Sequence, residues 1–198
     1  MGKKNTRNTK GKIIAAAWKL FYEQGYDDTT IEEIVEESGT SKGSFYHYFG
    51  GKDVLLESLS ELFDAKYEEL LPDLDEHMDS FEKLMFLNQE LFRMIDNTVS
   101  VDLLSRLYSS QLVTTGQKHL LDHNRVYYKV LRQITKEGQQ RGELKGDVSV
   151  NEFVKAYALS ERALIYDWCI CNGDYSLYHY AKQMMPLFLA GFRQKNAK

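Results

Sequence analysis

The stretch SKGSFYHYFG, which begins at Ser41, concentrates side chains that can form hydrogen bonds with DNA. Its first helical turn would present the hydroxyls of Ser41 and Ser44, the ammonium group of Lys42, and Gly43, which has no side chain to hinder close approach. Groups of this kind contact phosphates and base edges. A helix of this size is about 12 to 14 Å long, short enough to enter the major groove end-on. The stretch is therefore a candidate DNA-reading helix.

The next turn of the same stretch adds two phenols and an imidazole, from Tyr46, His47 and Tyr48. Phe45 and Phe49 lie four residues apart and are predicted to pack into a small core. Three consecutive ring residues cannot all face that core, so at least one must be exposed. The alternative, that the aromatic cluster is only core, accounts for the two phenylalanines but not for the three residues between them.

Basic residues without acidic neighbours are confined to the first quarter of the chain, although its formal net charge is −4. Residues 1–12 contain five basic residues and no acidic one, whereas residues 53–198 contain 17 basic and 22 acidic residues. A nucleic-acid surface is therefore expected at the N-terminal end, where the basic arm could add minor-groove or backbone contacts.

Two helices that precede the candidate reading helix must position it. Apolar periodicity from Ile13 predicts a first helix that ends at Gly25, and Thr30 is predicted to cap a second one through a capping box. Ser41 is predicted to cap the third. A glycine-containing turn between the second and third helices is typical of a helix-turn-helix.

The segment IIAAAWKLFYEQGYDDTTIEEIVEESGTSKGSFYHYFGGKDVLL, which begins at Ile13, resembles the N-terminal DNA-binding region of the tetracycline-repressor (TetR) family of bacterial transcriptional regulators. Val35, Ser38 and Thr40 depart from the residues usual in that family, and they bear on packing of the turn. The matching positions are Phe21, Gly25, Tyr26, Thr30, Ile34, Gly39, Ser41, Gly43, Tyr46, Phe49, Lys52 and Leu55.

The resemblance implies which residues contact DNA. Lys42 and Ser44 are assigned to base edges, and Tyr46, His47 and Lys52 to phosphates. The full set of predicted DNA-binding residues is Thr30, Ser41, Lys42, Gly43, Ser44, Tyr46, His47, Tyr48 and Lys52.

The rest of the chain continues the 3.6-residue period of helices without strand alternation. The predicted fold is all-α with about nine helices, in a DNA-binding domain over 1–52 and a larger effector-binding and dimerisation domain over 53–198. Its predicted helices cover 52–70, 77–96, 99–113, 117–141, 149–172 and 174–195.

Three polar residues interrupt the apolar faces of these helices: Asn88, Asn124 and Glu161. Buried polar groups need partners, which a bound ligand could supply. The alternative is that each bonds to neighbouring side chains. The predicted pocket suits an aromatic or amphipathic molecule. It is lined by Phe63, Tyr67, Asn88, Phe92, Tyr108, Gln111, Asn124, Tyr127, Glu161 and Trp168.

The last two predicted helices, 149–172 and 174–195, are apolar on almost every side and must be buried on every side. The resemblance implies that they form a four-helix interface in a homodimer. The alternative is that they bury each other within one chain. Pro186 lies inside the last of them and should kink it.

Other patterns bear on membranes, metals and catalysis. No apolar run approaches the roughly 20 residues that span a bilayer, and the N-terminus lacks a signal-peptide pattern, so a cytoplasmic location is predicted.

Cys169 and Cys171 are predicted to be buried free thiols, with oxidant sensing or soft-metal binding as the lesser alternative. His119 and His123 lack the third ligand of a metal site. The sequence predicts no metal, no cofactor and no enzymatic activity.

The resemblance therefore implies a homodimeric repressor that leaves a palindromic operator when a small molecule binds its C-terminal domain. The residues leave two alternatives open. One is a transcriptional activator or ligand-independent regulator of the same fold. The other is a small-molecule-binding protein or an enzyme that uses the helical cavity.

Overall fold

The computed structural model describes the backbone of residues 3–115 and 118–194, and the side chains of these residues from residue 9 onward. The predicted all-α fold is confirmed. The side chains of the first eight residues, which carry part of the predicted basic arm, lie outside the described set. The helices are α1 (Lys3–Gln24), α2 (Ile31–Glu37), α3 (Lys42–Tyr48), α4 (Lys52–Leu56), α5 (Ser58–Leu70), α6 (Ser80–Thr98), α7 (Val101–Val113), α8 (Val126–Gln140), α9 (Val150–Ile170) and α10 (Leu177–Leu189).

Three of the predicted helices differ from the structure in their continuity or by more than four residues at one end. The helix predicted over 174–195 is one of them, because α10 ends at Leu189 and only a short 3-10 turn, Ala190–Phe192, follows it. The helix predicted over 52–70 is divided at Glu57 into α4 and α5. The helix predicted over 117–141 is wrong at its start, because α8 begins at Val126. The Asp122 carboxylate accepts the backbone N–H of Asn124 at 2.9 Å, a local turn that competes with helix. Pro186 lies inside α10, which ends three residues later at Leu189.

The chain forms two compact units whose boundary differs from the predicted division after residue 52. The first unit comprises Met1–Glu61 and Asp102–His119, and the second comprises Leu62–Val101 and Leu120–Lys198. The sequence placed α7 in the C-terminal domain because it follows α6 directly along the chain. In the structure almost all of α7 belongs to the first unit.

The first unit is built around a small core in which helices α1, α2 and α3 meet. Ile34 and Phe45 are fully buried, and Phe21 and Phe49 are nearly so. Burial of each such side chain contributes roughly 1.5 to 3 kcal/mol. This core fixes the orientation of α3, because Phe45 and Phe49 are the inward residues of that short helix, as predicted.

The turn between α2 and α3 is set by its local residues. Gly39 has a φ of +61°, a left-handed conformation that favours glycine. Its N–H donates to the Glu36 carbonyl at 3.0 Å and the next N–H, of Thr40, donates to the Val35 carbonyl at 3.1 Å. These two bonds close α2 in a Schellman motif. The chain then reaches Ser41 in the extended conformation that begins α3.

The second unit packs α6, α8, α9 and α10 against one another. Gly138 of α8 lies against Ser80 of α6. A Cβ atom on Gly138 would lie 2.6 Å from the Cβ of Ser80 and 2.9 Å from Cδ1 of Leu144. The absence of a side chain at this position therefore allows the two helices to pack at their observed distance.

Gly138→Ala should destabilise the second unit by about 1 to 3 kcal/mol, the usual cost of adding volume to a packed site. The Cβ of Ser80 is fixed to the backbone and cannot rotate away. Urea denaturation would measure the effect. Gly146→Ala is the matched control, because a Cβ at this exposed glycine meets nothing within 4 Å. Equal stabilities of the two variants would contradict the close packing.

Candidate functional site

The N-terminal end of α3 is held by its two serines. The Ser41 hydroxyl accepts the backbone N–H of Ser44 at 3.1 Å, and the two hydroxyl oxygens are 2.9 Å apart. This cap leaves the first turn of the helix ordered before any ligand arrives. Thr30 caps α2 in the same way, and its reciprocal bond with Glu33 forms the predicted capping box.

The predicted DNA-binding residues differ in their exposure. Tyr46 keeps 51% of its surface exposed, while Phe45 beside it is fully buried. The T-shaped contact of these two rings, with centroids 5.4 Å apart, orients the exposed phenol. Exposed members of the set are Thr30, Ser41, Lys42, Gly43, Tyr46 and His47, and half-buried members are Ser44, Tyr48 and Lys52.

Lys42, the residue predicted to read base edges, forms an ion pair with Glu32 of α2. The hydrogen bond with Glu32 raises the pKa of Lys42, and the bond with Lys42 lowers the pKa of Glu32. Both side chains are more than half exposed, so water and salt screen the pair. The ammonium group is therefore charged and can exchange its carboxylate partner for an anion of DNA.

Lys52 is directed at the loop between α1 and α2. Its ammonium donates to the carbonyls of Tyr26 at 2.5 Å, Thr29 at 2.7 Å and Asp27 at 3.3 Å. A lysine has three N–H donors, and these bonds use all of them. Lys52 thus orders the loop that precedes α2, and its contact with a phosphate stays a prediction.

Tyr26 is the centre of a charged cluster that connects α7 to the DNA-binding helices within the first unit. Its ring lies 4.3 Å from the Lys52 ammonium and 4.8 Å from the Arg106 guanidinium. Its hydroxyl donates to Asp53. Burial, followed by the hydrogen bond with Asp53, raises the pKa of Tyr26, so the phenol stays protonated. Arg106 also pairs with Asp27 in the same loop.

Sequence reasoning missed Arg106, which is 79 residues from Asp27 along the chain. Its guanidinium is held by both oxygens of Asp102, one turn earlier on α7, at 3.0 and 2.9 Å. No local motif marks such a residue, and only the tertiary structure brings it to the loop. Tyr26 was identified as a matching position of the family resemblance.

A buried polar cluster lies inside the second unit. Glu161 is 4% exposed; it accepts the side-chain N–H of Asn88 at 2.8 Å and the hydroxyl of Tyr127 at 2.6 Å. Burial raises the pKa of Glu161, and these hydrogen bonds oppose that shift. For Asn88 and Glu161, the expected alternative of bonding to neighbouring side chains is what the structure contains.

Two atoms of this cluster nevertheless lack a partner within the described part of the chain. They are the Tyr67 hydroxyl and the Oδ1 oxygen of Asn88, both buried. The Tyr67 and Tyr127 rings are 5.2 Å apart. Burial raises the pKa of both phenols well above the ordinary value, so both remain donors. The cluster can therefore form further hydrogen bonds through these two atoms, which lie beside aromatic rings.

The remaining predicted pocket residues are only partly brought together. Phe63 and Phe92 are buried in the second unit. Trp168 is buried near the end of α9, where its indole N–H donates to the Tyr175 carbonyl at 2.8 Å. Tyr108 and Gln111 lie on α7 in the first unit, so their part in the pocket stays a prediction.

Asn124 does not lie on the inward face of a helix, contrary to the prediction. It is exposed in the turn that precedes α8. The predicted apolar period runs from Leu120 through Leu131. In the structure only its later part is helical, because α8 begins at Val126. Tyr157 of α9 is a further buried tyrosine of the second unit, and its hydroxyl donates to the Leu84 carbonyl at 2.9 Å.

Glu161→Gln should remove a pH dependence of stability. Because the pKa of Glu161 is raised in the folded protein, its contribution makes the free energy of unfolding fall as pH rises above the ordinary value of 4.5. The free energy of unfolding stops falling once the pH exceeds the raised pKa of Glu161. The total decrease is about 1.4 kcal/mol for each pH unit by which folding raises that pKa. Urea denaturation from about pH 5 to pH 8 would show a flatter profile for the variant.

The matched control for this pH profile is Glu68→Gln, at an exposed position on α5. Its profile should run parallel to that of the wild type. If Glu161→Gln also runs parallel to the wild type, the carboxyl of Glu161 is not the group that titrates.

α9 and α10 pack against each other and also carry a second apolar face. Tyr157 and Leu164 of α9 are buried, while Leu159 is 57% exposed on the opposite side. Leu187 of α10 is 67% exposed. The expected alternative, in which the two helices bury only each other, leaves this surface unexplained. It comprises Leu159, Tyr166, Ile170, Tyr180, Leu187 and Phe188, which we call the α9–α10 surface.

His119 and His123 do not share a helix face, because the segment between them is not α-helical. His119 lies 2.7 Å from Glu57, and the His123 ring packs 4.7 Å from that of Tyr128. No group of three or more metal-ligating side chains occurs among the described residues. The described helices include none that is long and apolar enough to cross a membrane. Cys169 and Cys171 are not joined in a disulfide and are half-buried, not buried as predicted.

Residues 13–59 match the family described as bacterial regulatory proteins, tetR family. The whole chain is similar to the fatty acid metabolism regulator protein of Bacillus subtilis, with 23% identity over 93% of this chain and 95% of that protein. An uncharacterised HTH-type transcriptional regulator of Lactococcus lactis is 38% identical over 79 residues. That match spans 40% of this chain but 33% of the relative's length.

Solved structures share the fold. Thermus thermophilus FadR, a TetR-family transcriptional repressor in complex with lauroyl-CoA, superposes with a TM-score of 0.76 over 95% of this chain and 98% of its own, at 22% identity. Bacillus subtilis FadR in complex with stearoyl-CoA gives a TM-score of 0.70 over 93% of this chain and 100% of its own, at 23% identity.

Proposed function

Because the chain belongs to the TetR family of bacterial regulatory proteins, we propose that it is a homodimeric transcriptional repressor that leaves its operator when a small molecule binds. The observation that carries the proposal is the exposed polar end of α3. Ser41, Lys42 and Gly43 face solvent there, on a helix fixed by the buried rings of Phe45 and Phe49. We assign no enzymatic role and place the protein in the cytoplasm, with the bacterial DNA.

In this proposal Lys42 and Ser44 contact base edges in the major groove, while Tyr46 and His47 contact phosphates. Gly43 allows the backbone to approach the DNA closely. A single short helix reads too few base pairs for genomic specificity, so two copies bind half-sites one helical turn, about 34 to 36 Å, apart.

The α9–α10 surface supports a dimer. Exposed apolar patches of this kind mark interaction sites in proteins that are otherwise polar outside. α9 buries one face in its own unit and leaves Leu159, Tyr166 and Ile170 exposed on the other. A second copy of the same surface would cover them in a four-helix interface.

The buried polar cluster supports effector binding in the second unit. Its aromatic walls suit an apolar chain, and the unpaired Tyr67 hydroxyl and Asn88 oxygen could bond to a polar group of a ligand. The similar FadR proteins were solved with lauroyl-CoA and stearoyl-CoA. We propose an acyl-CoA as effector, with a coupling of about 1 to 3 kcal/mol that weakens operator binding 5- to 150-fold.

The experiment that tests DNA reading breaks the Lys42–Glu32 ion pair from either side. Lys42→Met should weaken binding to DNA from upstream of the protein's own gene by about 5- to 150-fold and relax base preference, because a specific base contact is lost. Glu32→Gln should instead tighten binding about 3- to 10-fold, because it removes a negative charge beside the phosphates and frees Lys42. Fluorescence anisotropy with labelled DNA would measure both.

The two variants control for each other, since each removes the same ion pair. Glu36→Gln makes the same charge change at an exposed position of α2 and should have a smaller effect. Weaker binding by both Lys42→Met and Glu32→Gln, to the same extent on operator and random DNA, would assign the pair a structural role and refute DNA reading by Lys42.

A further inference from the structure

A groove of about 840 Å³ lies in the second unit, lined by residues of α8, α9 and the loop before α8. Arg132 of α8, Lys155 and Arg162 of α9, and His123 of the loop contribute to its walls. No carboxylate is present among its described lining residues. Its volume falls in the range of about 300 to 1,000 Å³ that is usual for small-molecule sites.

None of the cations of this groove lies within salt-bridge distance of a described carboxylate, although Lys155 and Arg162 act electrostatically on Glu152 and Glu161. Within the described part of the chain, Arg132, Lys155 and Arg162 form no salt bridge, although the chain has 29 acidic residues. Three cations around one groove, none of them held in a salt bridge, can supply the charge and the N–H donors that a phosphate-bearing ligand needs. The other five described arginines all pair with carboxylates: Arg93, Arg106, Arg125, Arg141 and Arg193.

Arg132 is already oriented without a ligand. One of its terminal nitrogens, Nη2, donates to the His123 carbonyl at 2.6 Å, and Nη1 lies 3.5 Å from Nδ1 of the His123 ring. These contacts fix the guanidinium against the loop. A guanidinium has five N–H donors, so others remain for an anion.

The groove adjoins the buried polar cluster through two pairs of neighbouring residues. Tyr128 lines the groove, and its ring is 4.8 Å from that of Tyr127, which donates to Glu161. Glu161 is followed directly by Arg162, whose charge lowers the pKa of Glu161. The groove and the cluster are therefore built from neighbouring residues of the same two helices, α8 and α9.

We propose that Arg132, Lys155 and Arg162 bind the phosphate groups of the effector, whose apolar part enters the bundle beside Tyr127. Guanidinium groups recognise phosphate oxygens through paired N–H bonds, and the several phosphate groups of an acyl-CoA can engage more than one of these cations, whereas a simple fatty acid offers a single carboxylate. That the ligand bound here is the effector, which controls operator binding, rests on the proposed function.

Isothermal titration calorimetry on the full chain tests the assignment with three probes: lauroyl-CoA, CoA and laurate, at about 0.15 M salt. The double variant Arg132→Gln and Arg162→Gln should weaken binding of lauroyl-CoA and CoA by about 100-fold or more, because two charge-assisted bonds to phosphate are lost. Its affinity for laurate should change less than about threefold.

The matched control replaces Lys129 and Lys136 with glutamine, which removes two charges from exposed positions of α8 outside the groove. It should bind all three probes as the wild type does. Circular dichroism would establish that both double variants are folded.

Equal affinities of the wild type and the arginine double variant for CoA and lauroyl-CoA would overturn the assignment. The assignment would also be overturned if the arginine double variant lost as much affinity for laurate as for lauroyl-CoA. It would be overturned as well if the wild type bound neither CoA nor lauroyl-CoA at about 1 mM. Operator binding by the unliganded wild type, measured in parallel, tests the proposed function by itself. If the unliganded wild type does not bind the operator, the proposed function is refuted, whatever ligand the groove binds.

Discussion

Replacing Phe45 with alanine should abolish specific operator binding and unfold the first unit at physiological temperature. Phe45 is fully buried, and its ring packs 5.7 Å from that of Phe49. Truncation of a buried phenylalanine costs about 3 to 5 kcal/mol, which is comparable to the whole stability of a small unit. Thermal denaturation and fluorescence anisotropy with labelled operator would show both losses.

Tyr22→Ala is the control for the loss of an aromatic ring in the same unit. Tyr22 lies on α1 and is 79% exposed, so its truncation leaves no cavity. It should change stability by less than about 0.5 kcal/mol. Phe45→Ala with wild-type stability and operator affinity would contradict the role of this core in fixing α3.

The second large effect is expected at the α9–α10 surface. Substitution of Leu159 and Leu187 with glutamate should convert a dimer into a monomer, because four carboxylates would be buried in each interface. Operator affinity should then fall by about 100-fold or more, since only one half-site is bound at a time. Light scattering coupled to size-exclusion chromatography would give the mass.

Leu112→Glu provides the matched control at another exposed leucine. Leu112 is 74% exposed on α7, outside the α9–α10 surface. The variant should keep the mass and operator affinity of the wild type. If it dissociates the protein while the double variant remains a dimer, the interface lies elsewhere.

The DNA-binding helices could be predicted because their signals are local. Thr30 and Ser41 cap the helices that follow them, and Gly39 takes the left-handed conformation that ends α2. Phe45 and Phe49 repeat at the spacing that places both on one helix face. Each of these signals spans only a few residues, so chain folding elsewhere cannot change it.

The contacts that the sequence did not predict join distant residues. Arg106 pairs with Asp27 across 79 positions, and Asn88 bonds to Glu161 across 73. Polarity at inward positions indicated that Asn88 and Glu161 need partners, but it could not identify them as partners of each other. The helical placement of Asn124 was wrong for the opposite reason: its backbone N–H donates to Asp122 in a local turn, and α8 begins only at Val126. Asn124 does line the groove, so its contact with a ligand stays a prediction.

The sequence also could not predict that the arginines of the groove form no salt bridge. Arg132 and Arg162 look no different along the chain from Arg125, which pairs with Asp64 at 2.8 Å. Their distinction among the described arginines is that neither forms a salt bridge, although Arg162 acts on Glu161 at longer range. Absence of a partner is a property of the tertiary structure and has no sequence signature.

The central claim is that one ligand-binding event in the second unit controls operator binding. It is tested most directly by the operator affinity of the full-length wild type, measured by anisotropy with and without saturating lauroyl-CoA. We predict that lauroyl-CoA weakens operator binding by about 5- to 150-fold. Tight binding of lauroyl-CoA in calorimetry together with an unchanged operator affinity would contradict it.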